Sequence, residues 1–190
     1  MIAFIPDPFD SRPNHNRNKI ENIKIEYEFN LYFVIKVPYA MNLHVSTVNE
    51  GDVIVNNITC FLGVYNVNGA IKLTNAKGSA ETRTINGNVE ATYSSAPPGE
   101  SNVKTLNGNI KTSYPESFAA DCQFKTFYGE FYTDFPNTET LPVKVVKNEE
   151  NKNSKTVYKV NTETLIRFGN GGKNYWFETF KGSISIKKQL

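Results

Sequence analysis

Glu116, Asp121, Glu130 and Asp134 are the residues of this chain best placed to do chemistry. They fall within one short stretch, and on neighbouring turns of a folded chain two of them could meet across a groove. Paired carboxylates cleave polysaccharides, one donating a proton and the other acting as base or nucleophile. Outward carboxylates are otherwise a solvated face, and the solvated face is the expectation here. The remaining chemistry is sparse. The two histidines, His15 and His44, stand alone; no His-x-x-x-His and no cysteine pair at metal spacing occurs. No metal site built on imidazole or thiolate is therefore expected. Gly169-Asn170-Gly171-Gly172 lacks the Asp of a calcium-binding glycine repeat and does not recur, so it reads as a turn. No nucleophile elbow, phosphate-binding loop or nucleotide fingerprint is present. The chain is expected to have no catalytic residue, no cofactor and no metal.

Aromatic residues offer more. Tyr128 and Tyr132 stand at positions that are polar in equivalent segments, Trp176 lies in an outward slot before Gly182, and the three form the candidate ligand or partner surface. Flat rings can stack on sugars or pack on a protein. The competing expectation, and the favoured one, is that a hairpin from residues 137–165 covers them as a cap.

The elements that would position these side chains are set by a recurring corner. It reads Val67-Asn68-Gly69-Ala70-Ile71, then Ile85-Asn86-Gly87-Asn88-Val89, then Leu106-Asn107-Gly108-Asn109-Ile110. Weaker copies surround Gly51, Gly129 and Gly182. From Gly51 to Gly129 the corner glycines are 18, 18, 21 and 21 residues apart. One strand signal per period of about 20 residues marks a solenoid. Two residues after each corner Gly stand Val53, Ile71, Val89, Ile110, Phe131 and Ile184, a column predicted to run through the core. Two residues before it stand Val67, Ile85, Leu106, Phe127 and Phe180, with Val48 in the first copy, and these too are expected to be apolar anchors. Thr84, Thr105, Thr126 and Thr179 precede them. Five residues before the corner come Val64, Thr82, Val103, Phe124 and Phe177. Lys72, Glu90 and Lys111 should face water, because side chains alternate along a strand. The corner glycines are expected to adopt positive φ.

Composition suits a thin, stacked core: 190 residues, 39% hydrophobic. A net charge of +2, from 21 basic and 19 acidic residues, gives no reason to expect nucleic acid or an anionic membrane as partner. No apolar run reaches transmembrane length, and no signal peptide opens the sequence. Cys60 and Cys122 sit at different offsets from their corners and read as two buried free thiols.

Residues 1–19 read as a flexible N-terminal arm. Residues 20–42 form an N-terminal cap, with one or two strands between Ile20 and Val37. Rungs occupy 43–136, a hairpin insertion 137–168, and a closing rung 169–190. The hairpin strands are expected at Pro142–Val146 and Thr156–Val160, with a solvated tip between them. No amphipathic helix is indicated.

The repeated Val-Asn-Gly, Ile-Asn-Gly-Asn-Val and Leu-Asn-Gly-Asn-Ile corners, with the ending Phe180-Lys181-Gly182-Ser183-Ile184-Ser185-Ile186, resemble the bacterial putative-adhesin family. That family is of the domain-of-unknown-function type and repeats T-V-N-G-D-I rungs; the similarity runs over roughly residues 35–190. The resemblance implies a right-handed parallel β-solenoid or β-roll in an extracytoplasmic setting, periplasm or cell surface. It carries over no catalytic residue. This chain departs at Tyr128-Gly129 and Lys181-Gly182. The leading functional expectation is a non-enzymatic scaffold that binds a protein or glycan. A self-assembling, bactofilin-like solenoid is the alternative; it would polymerise through bare end rungs. A polysaccharide-active β-helix enzyme comes third, for want of a groove lined by the right groups.

Overall fold

The computed structural model describes residues 31–48, 51–142, 150–152, 155–157 and 163–189. It divides into residues 1–35 and 36–190. Of the first unit only 31–35 are described; they carry no strand and are exposed.

The described part of the second unit is all-β. Two sheets, parallel throughout their paired rungs and antiparallel only where the insertion adds two strands to the first, are joined at the corners into a β-solenoid. Each rung has one strand before the corner and one after it. The rungs are β1 (Leu43–Thr47) with β2 (Val53–Asn56), β3 (Leu62–Asn66) with β4 (Ile71–Ala76), β5 (Ala80–Arg83) with β6 (Val89–Tyr93), and β7 (Ser101–Asn107) with β8 (Ile110–Tyr114). They continue with β9 (Ala120–Tyr128) and β10 (Phe131–Thr133). Next come β11 (Thr138–Leu141), β12 (Glu150–Lys152), β13 (Lys155–Val157) and β14 (Thr164–Phe168), and last β15 (Lys173–Lys181) with β16 (Ile184–Lys188).

The stack does not follow chain order. One sheet runs β1-β3-β5-β7-β15-β9-β14-β11, the other β10-β16-β8-β6-β4-β2. The final strand pair is threaded between β7–β8 and β9–β10, and the solenoid does not close on it. Thr179 lies beside both Thr105 and Thr126. The four residues Gly169–Gly172 carry the chain from β14, on one edge of β9, to β15 on the other. Both Phe168 and Lys173 stand opposite Ala120.

The predicted inner column is present. Val53, Ile71, Val89, Ile110 and Ile184 are buried and in register across the second sheet, with Phe131 half-buried at the end. Val64, Thr82, Val103, Phe177 and Phe124 form the facing column.

The apolar column before the corner points outward, contrary to the expectation. Ile85 is 36% exposed and Leu106 46%. The residue behind it is the reason. Thr84, Thr105 and Thr179 are buried, and each hydroxyl donates to the corner carbonyl of the neighbouring rung: Thr84 to Gly69 at 3.0 Å, Thr105 to Gly87 at 2.9 Å, Thr179 to Gly108 at 2.9 Å. Thr126 donates likewise to Gly182 at 3.0 Å, and Asn66 fills the role toward Gly51 at 2.8 Å. With the threonine inward, its successor must face solvent. The bend at the corner then resets the alternation, so that the residue two beyond Gly is inward again.

The Asn-Gly-Asn corner is itself a ladder. Asn107 donates through Nδ2 to Asn86 Oδ1, and Asn86 to Asn68 Oδ1, both at 2.8 Å. On the far side of the Gly, Asn88 Oδ1 accepts from Asn109 N, and Asn109 Oδ1 from Ser183 N, both at 2.8 Å. Glycine is needed here for clearance more than for φ. Only Gly69 and Gly182 among the corner glycines have positive φ. A Cβ at Gly87 would lie 2.0 Å from the Gly69 carbonyl oxygen, and one at Gly108 would lie 2.0 Å from that of Gly87.

The expected cap and hairpin are described only in part. Residues 20–30 lie outside the described residues, and 31–42 form no strand. The segment 36–42 instead bonds the loop of the next rung: the Tyr39 carbonyl accepts from Thr59 N at 3.0 Å and Asn42 Oδ1 from Phe61 N at 3.1 Å. Among its described residues the insertion pairs β11 with β14 and β12 with β13, both antiparallel. β11 and β14 extend the first sheet beyond β9, to which β14 is antiparallel; of the expected hairpin strands, residues 143–146 and 158–160 lie outside the described residues.

Candidate functional site

The four carboxylates do not gather into one cluster. Asp121 holds Arg167 through two bonds, at 2.8 and 3.1 Å. Glu116 pairs with Lys188 Nζ at 3.0 Å, while Asp134 Oδ1 accepts from Lys188 N at 2.6 Å. Glu130 accepts from the hydroxyl of Tyr132. Glu116 and Asp134 thus share Lys188, one through its ammonium and the other through its backbone N–H, while Asp121 and Glu130 each have a partner of their own. Among the described residues no group of three His, Cys, Asp or Glu could hold a metal ion.

The three aromatic candidates do not form one patch. Tyr132 lies on the outer face of the second sheet, beside Ser185. Trp176 is half-buried on the outer face of the first, between Asn102 and Gln123. Tyr128 stands beside Lys181, five residues along the same pairing and about 17 Å from Trp176. Tyr128 and Tyr132 are exposed, so the expected hairpin cap over all three is not what these positions experience.

What gathers around Tyr128 is the outward column that the sequence reading placed in the core. Val48, Val67, Ile85, Leu106, Phe180 and Phe127 follow one another across the six rungs, each but the half-buried Val67 exposed. Phe127 is 62% exposed and Tyr128 68%. Phe180 lies between them, 5.1 Å from the Phe127 ring and 5.5 Å, edge-on, from Tyr128. Five inter-strand steps give a ridge about 24 Å long. Isolated surface leucines need no explanation, but a contiguous apolar line does. The signal was present in the sequence as a column of Val, Ile, Leu and Phe; only the buried threonine beside it reveals its direction.

Two polar rows flank the ridge. On the corner side runs the Asn68-Asn86-Asn107 amide ladder. On the sheet side, Glu178 sits between Lys104 at 3.2 Å and Lys125 at 3.3 Å. Burial raises the Glu178 pKa, but the Lys104 hydrogen bond and the charges of both lysines outweigh it and hold the carboxyl below its ordinary value.

Beneath this surface the core contains a stack of rings. Tyr93 and Tyr114 lie 4.9 Å apart and nearly parallel, and Tyr175 and Phe118 continue the stack. Tyr175 donates to the Pro97 carbonyl at 2.7 Å, whereas the hydroxyls of Tyr93 and Tyr114 have no partner among the described residues. Burial pushes both phenols up. Cys60 and Cys122 are free thiols; burial, with the Asp121 charge adding to it, raises Cys122 well above the ordinary thiol value. No described helix is long and apolar enough to cross a membrane.

A family model described as Toastrack DUF4097 matches residues 18–164. Among solved structures, the crystal structure of a putative cell adhesion protein from Clostridium sporogenes ATCC 15579 is similar at 15% identity with a TM-score of 0.49. The match covers 70% of this chain and 57% of that one, so this chain spans little more than half of that protein's length. No curated protein matches.

Proposed function

The chain belongs to the Toastrack DUF4097 family, and from that premise we propose that it is a non-enzymatic, extracytoplasmic scaffold that binds a protein or glycan along its apolar ridge. The exposed line from Val48 to Phe127 is the observation that carries this reading. Its residues project from the corners of stacked rungs, where the Val67 carbonyl accepts from Asn86 N and that of Ile85 from Asn107 N, so little ordering entropy is lost when a partner docks. Aromatic rings at one end supply the large contact area that binding hot spots use. Carboxylates that are tied up by Arg167, Lys188 and Tyr132 support a role without catalysis. The extracytoplasmic setting rests on the resemblance of the corner motif.

The test is binding to a glycan array and to surface proteins of the source cell, compared between the wild type and the double variant Leu106→Ser, Phe127→Ser. Both positions are outward, so folding should survive. Binding should fall at least about tenfold in the variant, equivalent to the loss of one hot spot, while Trp176→Ala and Tyr132→Ala should retain it. Unchanged binding on loss of the ridge residues would remove the ridge as the site.

A further inference from the structure

The slot occupied by β15–β16 is formed by two rungs that follow one another in sequence, with only residues 115–119 between β8 and β9. On the β7–β8 side, Gly108 N donates to the Lys181 carbonyl at 2.9 Å and Ile110 N to that of Ser183 at 3.0 Å. On the β9–β10 side, Gly182 N donates to the Tyr128 carbonyl at 3.0 Å and Ile184 N to that of Glu130 at 2.9 Å. The occupant brings Tyr175, Phe177, Thr179, Ile184 and Ile186 into the core, all buried. Before it is in place, both sheets have two open parallel edges facing each other.

The occupant is joined to the rest of the fold through Gly169–Gly172. Three of those four residues hold positive φ: Gly169 at 53°, Gly171 at 74° and Gly172 at 154°. The hop passes close over β9, with the Ala119 carbonyl oxygen 3.2 Å from where a Cβ on Gly172 would stand. It is a hinge in a tightly turned state. Straightened, it could reach about 17 Å.

We propose that β15–β16 is an exchangeable rung, and that the slot between β7–β8 and β9–β10 is an interaction surface for the same strand pair of a second copy of this chain. A second copy offers the identical ladder: the Thr179 hydroxyl for Gly108, the Gly182 carbonyl for Thr126, and Glu178 for Lys104 and Lys125. Exchange therefore conserves every bond within the slot, and it releases the tight turn at the hinge. The chain's own rung competes at an effective concentration of the order of 1 mM. Dilute protein is therefore a closed monomer, and crowded protein exchanges. The reach of the hinge restricts the product to a two-fold dimer with the two hops facing.

The test uses full-length chains carrying Cys60→Ser and Cys122→Ala. One variant adds Lys104→Cys, another Glu178→Cys, and a third carries both. Residues 104 and 178 are register partners, within disulfide reach of each other on adjacent strands. The third variant should close within one chain at low concentration, which establishes that the substituted protein folds. An equimolar mixture of the first two, refolded and oxidised at about 1 mM, should give a disulfide-linked heterodimer that is absent on refolding at low concentration. Gly169→Ala should raise the dimer fraction about 5–30-fold, because alanine is strained at left-handed φ, while a Cβ there has ordinary contacts at 3.4 Å and beyond. The proposal is overturned if the mixture gives no heterodimer although the double variant closes. It is equally overturned if Lys187→Cys, on the outer face of the other sheet, links to Lys104→Cys as well as Glu178→Cys does.

Discussion

Thr179 donates from its hydroxyl to the carbonyl oxygen of Gly108 at 2.9 Å, across 71 residues of sequence. The same bond is made by Thr105 to Gly87 at 2.9 Å, one rung earlier. A single rule therefore stacks the local rungs and also seats the strand that arrives last. The acceptor is a corner carbonyl with its neighbours packed against it, so losing the donor leaves a polar atom poorly satisfied. Thr179→Val, which keeps the shape, should cost about 1–3 kcal/mol, and Thr179→Ser should recover most of it. Chemical denaturation of the two variants measures the difference; equal losses would mean that methyl packing, not the bond, holds the strand.

The two apolar columns make opposite predictions. Ile110 is fully buried, and Ile110→Ala should cost about 2–5 kcal/mol. Ile85 is 36% exposed, and Ile85→Asn should cost no more than about 1 kcal/mol, since its amide can stay in water. If Ile85→Asn unfolded the chain, the column would have to be inward in solution.

Much of the architecture was legible in the sequence, because a solenoid writes its rung repeatedly. The period fixed by Gly51, Gly69, Gly87 and Gly108 locates the corners, and the column from Val53 to Ile110 locates the core. The direction of Ile85 and Leu106 was not legible from hydrophobicity, since a column of apolar residues reads as core whichever way it points. Thr84 and Thr105 hold the missing information, but a buried threonine is recognised only when its acceptor is known. The position of β15–β16 was also hidden. Every rung shares one ladder chemistry, so Thr179 could equally well follow Thr126 as precede it. The candidate site shared this fate: Tyr128 was singled out for interrupting a polar row, while Phe127 and Phe180 beside it were assigned to the core.

The tyrosine stack gives a third prediction. Tyr93 and Tyr114 bury hydroxyls that have no partner among the described residues, and Tyr175 satisfies its own on Pro97. Removing an unpartnered hydroxyl relieves a desolvation cost, whereas removing a bonded one also strands its acceptor. Tyr93→Phe and Tyr114→Phe should be neutral or stabilising, and Tyr175→Phe should cost about 0.5–1.5 kcal/mol. Thermal melts of the three single variants give the ranking; a loss at Tyr114 as large as at Tyr175 would point to a bridging group between the phenols.

The pH dependence of stability should follow Glu178, which lies on the inserted strand between Lys104 and Lys125. Partial burial raises its pKa, but the Lys104 hydrogen bond and the two ammonium charges more than offset this, so the folded value lies below the ordinary 4.5. A carboxyl whose pKa is depressed by folding stabilises the native state above its unfolded pKa and ceases to do so as the pH falls through the folded one. Wild type should therefore melt above Glu178→Gln at pH 7, and the gap should close as the pH is taken from about 4.5 downward. The glutamate is more than a third exposed, so screening keeps the gap modest, and about 1 M salt should narrow it further. Because the residue joins the inserted strand to both of its neighbours, the same substitution should also speed exchange of amide protons along β15. A melting gap that stayed constant from pH 7 to pH 3 would mean that Glu178 contributes by packing, with its charge irrelevant to holding the last rung in place.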